Sequence, residues 1–154
     1  MTTIPLDKTG KFSKLILDYV NNTAELSEFT AGKVTLENFK KKLSEKKFSK
    51  EQRELLVQQL IIQYRCAGIE LPSNVSLLIN ENTYTVTTGH QLCLLGGPQY
   101  FIHKIISTIK MSMQLKEAFP ENNFVPVFWL ASEDHDFEEI NDVKFFKKNL
   151  KIDA

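Results

Sequence analysis

Histidine, lysine and carboxylate side chains gather in two short stretches of this 154-residue chain. The first is Thr85-Val86-Thr87-Thr88-Gly89-His90-Gln91, continuing through Gly96-Gly97-Pro98-Gln99-Tyr100-Phe101-Ile102-His103-Lys104. Glycines let backbone N–H groups approach an anion closely, and a helix N-terminus adds its dipole. His90, His103 and Lys104 can complement negative charge there. The competing possibility is that the glycines only shape turns and Lys104 is solvated. Neither G-x-x-x-x-G-K-[ST] nor G-x-G-x-x-G occurs, so no standard nucleotide fingerprint applies.

The second stretch is Glu133-Asp134-His135-Asp136, with Glu138 and Glu139 behind it. Such a group suits Mg²⁺ handling or the hydroxyls of a ribose, and His135 suits general-base or anion-donor work. Adjacent residues alternate in direction, so only two or three can face one ligand. The alternative is a solvated acidic loop. Zinc fits poorly, because paired His/Cys ligands at the usual spacing are missing, and no metal ligands are assigned.

Both stretches follow apolar runs that read as strands. Tyr84 to Thr87 is β-branched and aromatic. Phe124 to Leu130 is nearly continuous and apolar, as in a strand buried on both faces of a parallel sheet, with Phe128 and Trp129 in the core. Between them a helix is predicted from about Pro98 to Phe119. Its proline lies in the first turn, and Ile102, Ile105, Ile106, Ile109 and Met113 form its buried stripe. Strand, helix, strand makes one βαβ unit. Ligands of open α/β sheets bind outside the carboxyl ends of the strands, where both polar stretches fall. A small-molecule site that handles a phosphate is the expectation.

Residues 1–80 read as a helical N-terminal region, and residues 81–154 as the first βαβ part of a larger core. Phe12, Leu15, Ile16, Tyr19 and Val20 recur at helical spacing. Lys33 to Lys47 reads as a solvated helix with Leu36, Phe39 and Leu43 as its stripe. Ser49 and Gln52 form a capping-box pattern ahead of Val57, Leu60, Ile61 and Tyr64. Gly68 is the expected stop, and a short helix is expected over Val75 to Ile79. Lys144 to Lys148 can begin one further short element. One βαβ unit is a small parallel sheet to stand alone, so the chain is expected to be the N-terminal piece of a longer protein.

Nineteen basic residues balance nineteen acidic ones, which leaves no electrostatic footprint for nucleic acid. Apolar residues make 42% of the chain and charged residues 25%, ordinary for a soluble globular protein. No apolar run approaches the roughly 20 residues of a membrane span. The N-terminus has no secretory pattern. Cys66 and Cys93 lack C-x-x-C spacing and read as reduced thiols of a cytoplasmic protein, Cys93 being buried and apolar rather than reactive.

The residues then resemble a known family. Thr-Val-Thr-Thr-Gly-His-Gln at 85–91, Gly-Pro-x-Tyr-x-x-His-Lys at 97–104 and Pro-Val-Phe-Trp-Leu-Ala-Ser-Glu-Asp-His-Asp-Phe-Glu-Glu-Ile-Asn at 126–141 closely resemble the BshC family, the cysteine ligases of bacillithiol biosynthesis. Phe12-Ser13-x-Leu15-x-Leu17-Asp18-Tyr19 and the Arg53 to Tyr64 segment also look like that family. The resemblance spans essentially the whole chain, but about the first third of a family member.

The resemblance implies an α/β fold with a Rossmann-like parallel sheet similar to the class I aminoacyl-tRNA synthetase core. It also implies a C-terminal coiled coil that makes a homodimer. The implied reaction joins cysteine to the amine of malyl-glucosamine. By analogy with the synthetases, ATP would activate cysteine, with Mg²⁺ a possible companion. On that analogy Thr88, Gly89, His90 and Gln91, with Tyr100 and Lys104, face the nucleotide. Glu133, Asp134, His135 and Asp136 line the opposite wall and touch ribose, metal or the amine substrate. The 154 residues alone are expected to be inactive. The sequence departs from the synthetases in lacking His-Ile-Gly-His, and from the family in Gly96-Gly97-Pro98, Gln99 and His103. Two other functions fit the residues less fully. One is a divalent-metal hydrolase or phosphotransferase using Glu133 to Asp136, and the other is a non-catalytic assembly module.

Overall fold

The computed structural model describes residues 3–33, 35–93, 97–133 and 137–152. The chain packs as two compact units, residues 1–47 and 48–154. In the first unit, α1 (Lys14–Asn21) starts where the Ser13 hydroxyl accepts from the Ile16 N–H. Its end is Asn22, in the left-handed region at φ 54°. α2 (Leu36–Glu45) starts at Thr35, whose hydroxyl accepts from the Asn38 N–H. Side-chain oxygens at these caps satisfy backbone donors that a helix start leaves without partners.

The second unit opens with α3 (Lys50–Cys66). Ser49 and Gln52 close the expected capping box, with the Ser49 N–H donating to Gln52 Oε1 at 2.9 Å and the Gln52 N–H to Ser49 Oγ at 3.2 Å. After the helix the Ile69 N–H reaches back to the Tyr64 carbonyl across Gly68, which has φ +66°. A 3-10 segment, Ser73–Ile79, follows and buries Val75 and Leu78. α3 and this segment pack in one unit with the strands. The compositional change near Asn82 therefore marks where strands begin, while the two units part at residue 47.

β1 (Thr83–Gln91) and β2 (Asn123–Ala131) form a two-stranded parallel sheet, in register from Thr83 opposite Asn123 to Gln91 opposite Ala131. α4 (Gln99–Ala118) connects them and packs on both. A short helix, α5 (Phe137–Ile140), leads to an antiparallel hairpin of β3 (Asp142–Phe145) and β4 (Lys148–Lys151).

Arg53 locks α3 to the start of β1. It is 7% exposed, and its guanidinium donates to the carbonyls of Leu78 and Thr83, both at 3.0 Å, and of Glu81 at 3.1 Å. The Phe48 ring lies 5.6 Å from its charged carbon. A planar fork of donors suits several fixed carbonyls better than an ammonium would.

Several expectations need correction. β1 extends beyond the Tyr84 to Thr87 run that signalled it and takes in His90 and Gln91, because pairing with β2 continues that far. Pro98 caps α4 instead of standing in its first turn. The isoleucine stripe of α4 is not its buried face: Ile102, Ile106, Ile109 and Met113 are exposed, while Thr108, Ser112 and Leu115 are buried. The Thr108 and Ser112 hydroxyls donate to carbonyls four residues back, each at 2.9 Å, so they bury without other partners, and their small size lets the helix lie close to the sheet. β2 is not buried throughout, since Val125 is enclosed but Trp129 and Leu130 are exposed. Among the described residues the sheet has only two strands, which leaves the end of β2 uncovered.

Candidate functional site

The carboxyl end of β1 meets the N-terminus of α4, and there the structure gathers polar groups. His90 Nδ1 lies 3.1 Å from the Gln91 carbonyl, and His90 Nε2 lies 2.8 Å from the Tyr100 hydroxyl. A carbonyl can only accept, so these partners place the proton of a neutral His90 on Nδ1. Nε2 then accepts from Tyr100. The Cys93 sulfur is 3.2 Å from His90 Nδ1 and 3.6 Å from the Gln91 carbonyl. The imidazole also packs on two rings of α4, its centroid 5.2 Å from that of Tyr100 and 5.5 Å from that of Phe101.

Lys104, one turn further along α4, donates to the Gly89 carbonyl at 2.6 Å. Its ammonium lies 5.9 Å from the Tyr100 ring centre. Among the described residues that bond is its one hydrogen bond, so two of its three donors remain for another acceptor. α4 starts without a side-chain cap and without an acidic residue in its first turn. Its open N–H groups and positive dipole end therefore stand beside Tyr100 and Lys104.

Two glycines are needed for this approach. A Cβ at Gly89 would come within 2.9 Å of the Trp129 carbonyl oxygen and 3.1 Å of Trp129 Cβ. Gly97 has φ +72°, and a Cβ there would meet Cys93 Cβ at 2.7 Å. Cys93 is thus held under the turn that leads into α4. Burial pushes its thiol above the ordinary cysteine range, and the positive charge of Lys104 pulls it partly back.

His90, Cys93, Gly97 and Tyr100 border a cleft of about 530 Å³, while Gly89 and Lys104 lie outside its lining. His90, Gln91 and Cys93 form one wall, Gly97 to Tyr100 a second, and Asp142, Val143 and Lys144 of β3 a third. A cleft of this size falls within the roughly 300–1,000 Å³ of small-molecule sites. A separate apolar cavity of about 380 Å³ lies among α3, the 3-10 segment, α4 and β2.

Of the residues singled out from sequence, Gly89, His90, Gln91, Tyr100 and Lys104 come together. Thr88 instead lines the apolar cavity, beside Phe128 and Ile105. His103 is exposed on α4. Glu133 is an exposed turn residue just beyond β2, whereas Gly96, Asp134, His135 and Asp136 lie outside the described residues. Among the described residues no three His, Cys, Asp or Glu side chains converge as a metal site. Sequence reasoning missed Asp142 and Lys144 as cleft residues. Their alternation about Val143 was a strand signal, but nothing in it told which strand ends the hairpin would face.

The model of one family, the N-terminal Rossmann-like domain of bacillithiol biosynthesis BshC, matches residues 1–154. The chain belongs to this family. Its relatives include the "Putative cysteine ligase BshC" of Flavobacterium psychrophilum, 47% identical over 96% of this chain and 29% of the relative. The protein of that name from Cytophaga hutchinsonii is 40% identical over 94% of this chain and 28% of its own length. The one from Bacillus thuringiensis is 38% identical over 90% and 26%. The chain thus spans less than a third of the length of these relatives. As a member of a Rossmann-like family, it carries its polar cluster at the expected end of the parallel strands. Among the described residues no helix is long and apolar enough to cross a membrane.

Proposed function

We propose that this chain supplies the β1–α4 side of the active site of a cytoplasmic cysteine ligase, which joins cysteine to the amine of malyl-glucosamine to give bacillithiol. The observation that carries the proposal is the cluster of His90, Tyr100 and Lys104 beside the open start of α4, in a chain whose relatives bear the name cysteine ligase.

Forming an amide from a free carboxylate is uphill in water, so the carboxyl must be activated. In the proposed reaction a cysteine carboxylate oxygen attacks the α-phosphorus of ATP and pyrophosphate leaves. The glucosamine amine then attacks the acyl carbon, AMP leaves, and the amine gives up a proton. Among the described residues Lys104 makes one hydrogen bond, which leaves two donors for a phosphate oxygen, and the α4 N-terminus adds backbone N–H groups and a favourable dipole. Gly89 keeps the strand backbone open to close approach. His90 starts with both ring nitrogens engaged, so a base role requires Tyr100 to release Nε2. Glu133, Asp134, His135 and Asp136 are proposed to face the ribose, a Mg²⁺ ion carried by ATP, or the amine. The complete enzyme is proposed to act as a homodimer.

The test is cysteine-dependent exchange of labelled pyrophosphate into ATP, using protein expressed from its intact gene. The proposal expects exchange with cysteine and a loss of at least about tenfold in Lys104→Met, one charged hydrogen bond contributing roughly 1.5–3 kcal/mol. Bacillithiol formation without exchange and without ATP consumption would contradict activation by adenylation.

A further inference from the structure

The third wall of the cleft carries two opposite charges that the roles above leave unused. Asp142 and Lys144 both border it, two residues apart on β3. Side chains at i and i+2 of a strand share a face, about 6.6 Å apart along it. The cross-strand neighbour of Asp142 is Lys151, and its ammonium lies 3.4 Å from Glu138. Across from Lys144 stands Asn149, which has no charge. Among the described residues neither Asp142 nor Lys144 enters an ion pair. The base of the hairpin is fixed: Asn141 is 2% exposed, and its carbonyl accepts from the Ile152 N–H at 2.8 Å.

We infer that Asp142 and Lys144 form the head-group site for a free α-amino acid, the carboxylate of Asp142 holding its ammonium and the ammonium of Lys144 its carboxylate. The inference rests on the ligase reading for the identity of that amino acid as cysteine, but not for the zwitterion itself. An anion and a cation two residues apart on one strand face complement a zwitterion. A simple anion such as phosphate would be repelled by Asp142, and a simple amine would gain nothing from Lys144. The arrangement also suits amide synthesis. Asp142 favours the protonated α-amine, which is no nucleophile, so a bound cysteine does not compete with the glucosamine amine for an activated carboxyl. Lys144 holds the carboxylate in the cleft that His90 and Tyr100 also border.

The test is calorimetric titration of the protein, expressed from its intact gene, with cysteine, with cysteamine (no carboxylate) and with 3-mercaptopropionate (no ammonium). Asp142→Asn is expected to weaken cysteine about tenfold without weakening 3-mercaptopropionate, whose carboxylate loses a repulsion. Lys144→Gln is expected to weaken cysteine about tenfold without weakening cysteamine, whose ammonium loses a repulsion, since each pairing is a charge-assisted hydrogen bond. Asp142→Ser replaces the first variant should it fail to fold. Unchanged cysteine affinity in both variants overturns the inference, as does equal loss of cysteine and of the analogue that lacks the pairing group. Should this selectivity appear in a protein that makes no bacillithiol, the head-group site stands and the ligase reading falls. Should bacillithiol form while the selectivity is absent, the reverse holds.

Discussion

Replacing Arg53 with methionine should be among the most damaging single changes in the second unit, although Arg53 is not among the cleft-lining residues. The guanidinium satisfies the carbonyls of Leu78 and Thr83 in a buried setting and that of Glu81 in a partly buried one. Water can reach Glu81, so two orphaned acceptors dominate. Each costs about 1–3 kcal/mol, which sums to about 2–6 kcal/mol. Methionine fills part of the volume and removes the cost of burying a charge, which pulls the total to the lower half, about 3 kcal/mol. That is a large share of the roughly 5–15 kcal/mol by which a domain is stable. Urea unfolding followed by far-UV circular dichroism should show a lower midpoint at unchanged slope. Heating should show a fall of about 10–20 °C. Arg53→Lys should recover part of the loss, because one ammonium cannot reach three carbonyls in a fixed fork. A methionine variant within about 0.5 kcal/mol of wild type would refute the assignment of Arg53 as the clamp between α3 and β1.

Tyr100→Phe removes the hydroxyl that donates to His90 Nε2. It should lower kcat about fivefold, the worth of one ordinary hydrogen bond, and move the His90 ring ¹⁵N shifts; unchanged shifts would mean that the contact does not form in solution. Gly89→Ala forces a methyl against the Trp129 carbonyl and should cost about 1–3 kcal/mol in the same urea assay. Cys93 should alkylate with a rate that still climbs at pH values where an ordinary thiol, with a pKa near 8.5, has levelled off. The sign for stability follows: the native state keeps this proton longer, the unfolded state binds fewer protons at alkaline pH, and stability falls as pH rises through the ordinary thiol range. A Cys93→Ala variant should lose that part of the alkaline decline.

The βαβ unit was legible because its signals are local. Ser49 and Gln52 sit at capping spacing, Gly68 follows a periodic stripe, and Phe124 to Leu130 is too short and too apolar for a surface helix. The buried face of α4 was not legible. Ile102, Ile106 and Met113 have the right spacing, but so do Thr108, Ser112 and Leu115, and only the sheet decides between the two stripes. The far end of β1 was read short because His90 and Gln91 look like loop residues. Pairing with Leu130 and Ala131 keeps them extended. Within the site, the motif Gly89-His90-Gln91 with Tyr100 and Lys104 was visible as two strings near the same strand end. The third wall was not, since Asp142 and Lys144 reach the cleft only through the fold of a hairpin. Arg53 gave no signal beyond its place on a helix, for its three partners are 25 to 30 residues away.

The most direct measurement is the thiol profile, by mass spectrometry, of cells that lack the intact gene and are complemented with wild type or with Lys104→Met. The account predicts that bacillithiol vanishes on deletion while malyl-glucosamine accumulates. Wild type should restore the thiol, and Lys104→Met, present at wild-type abundance, should restore at most about a tenth of it. Bacillithiol that persists in the deletion strain, or full restoration by Lys104→Met, would contradict the claim that this strand end activates cysteine.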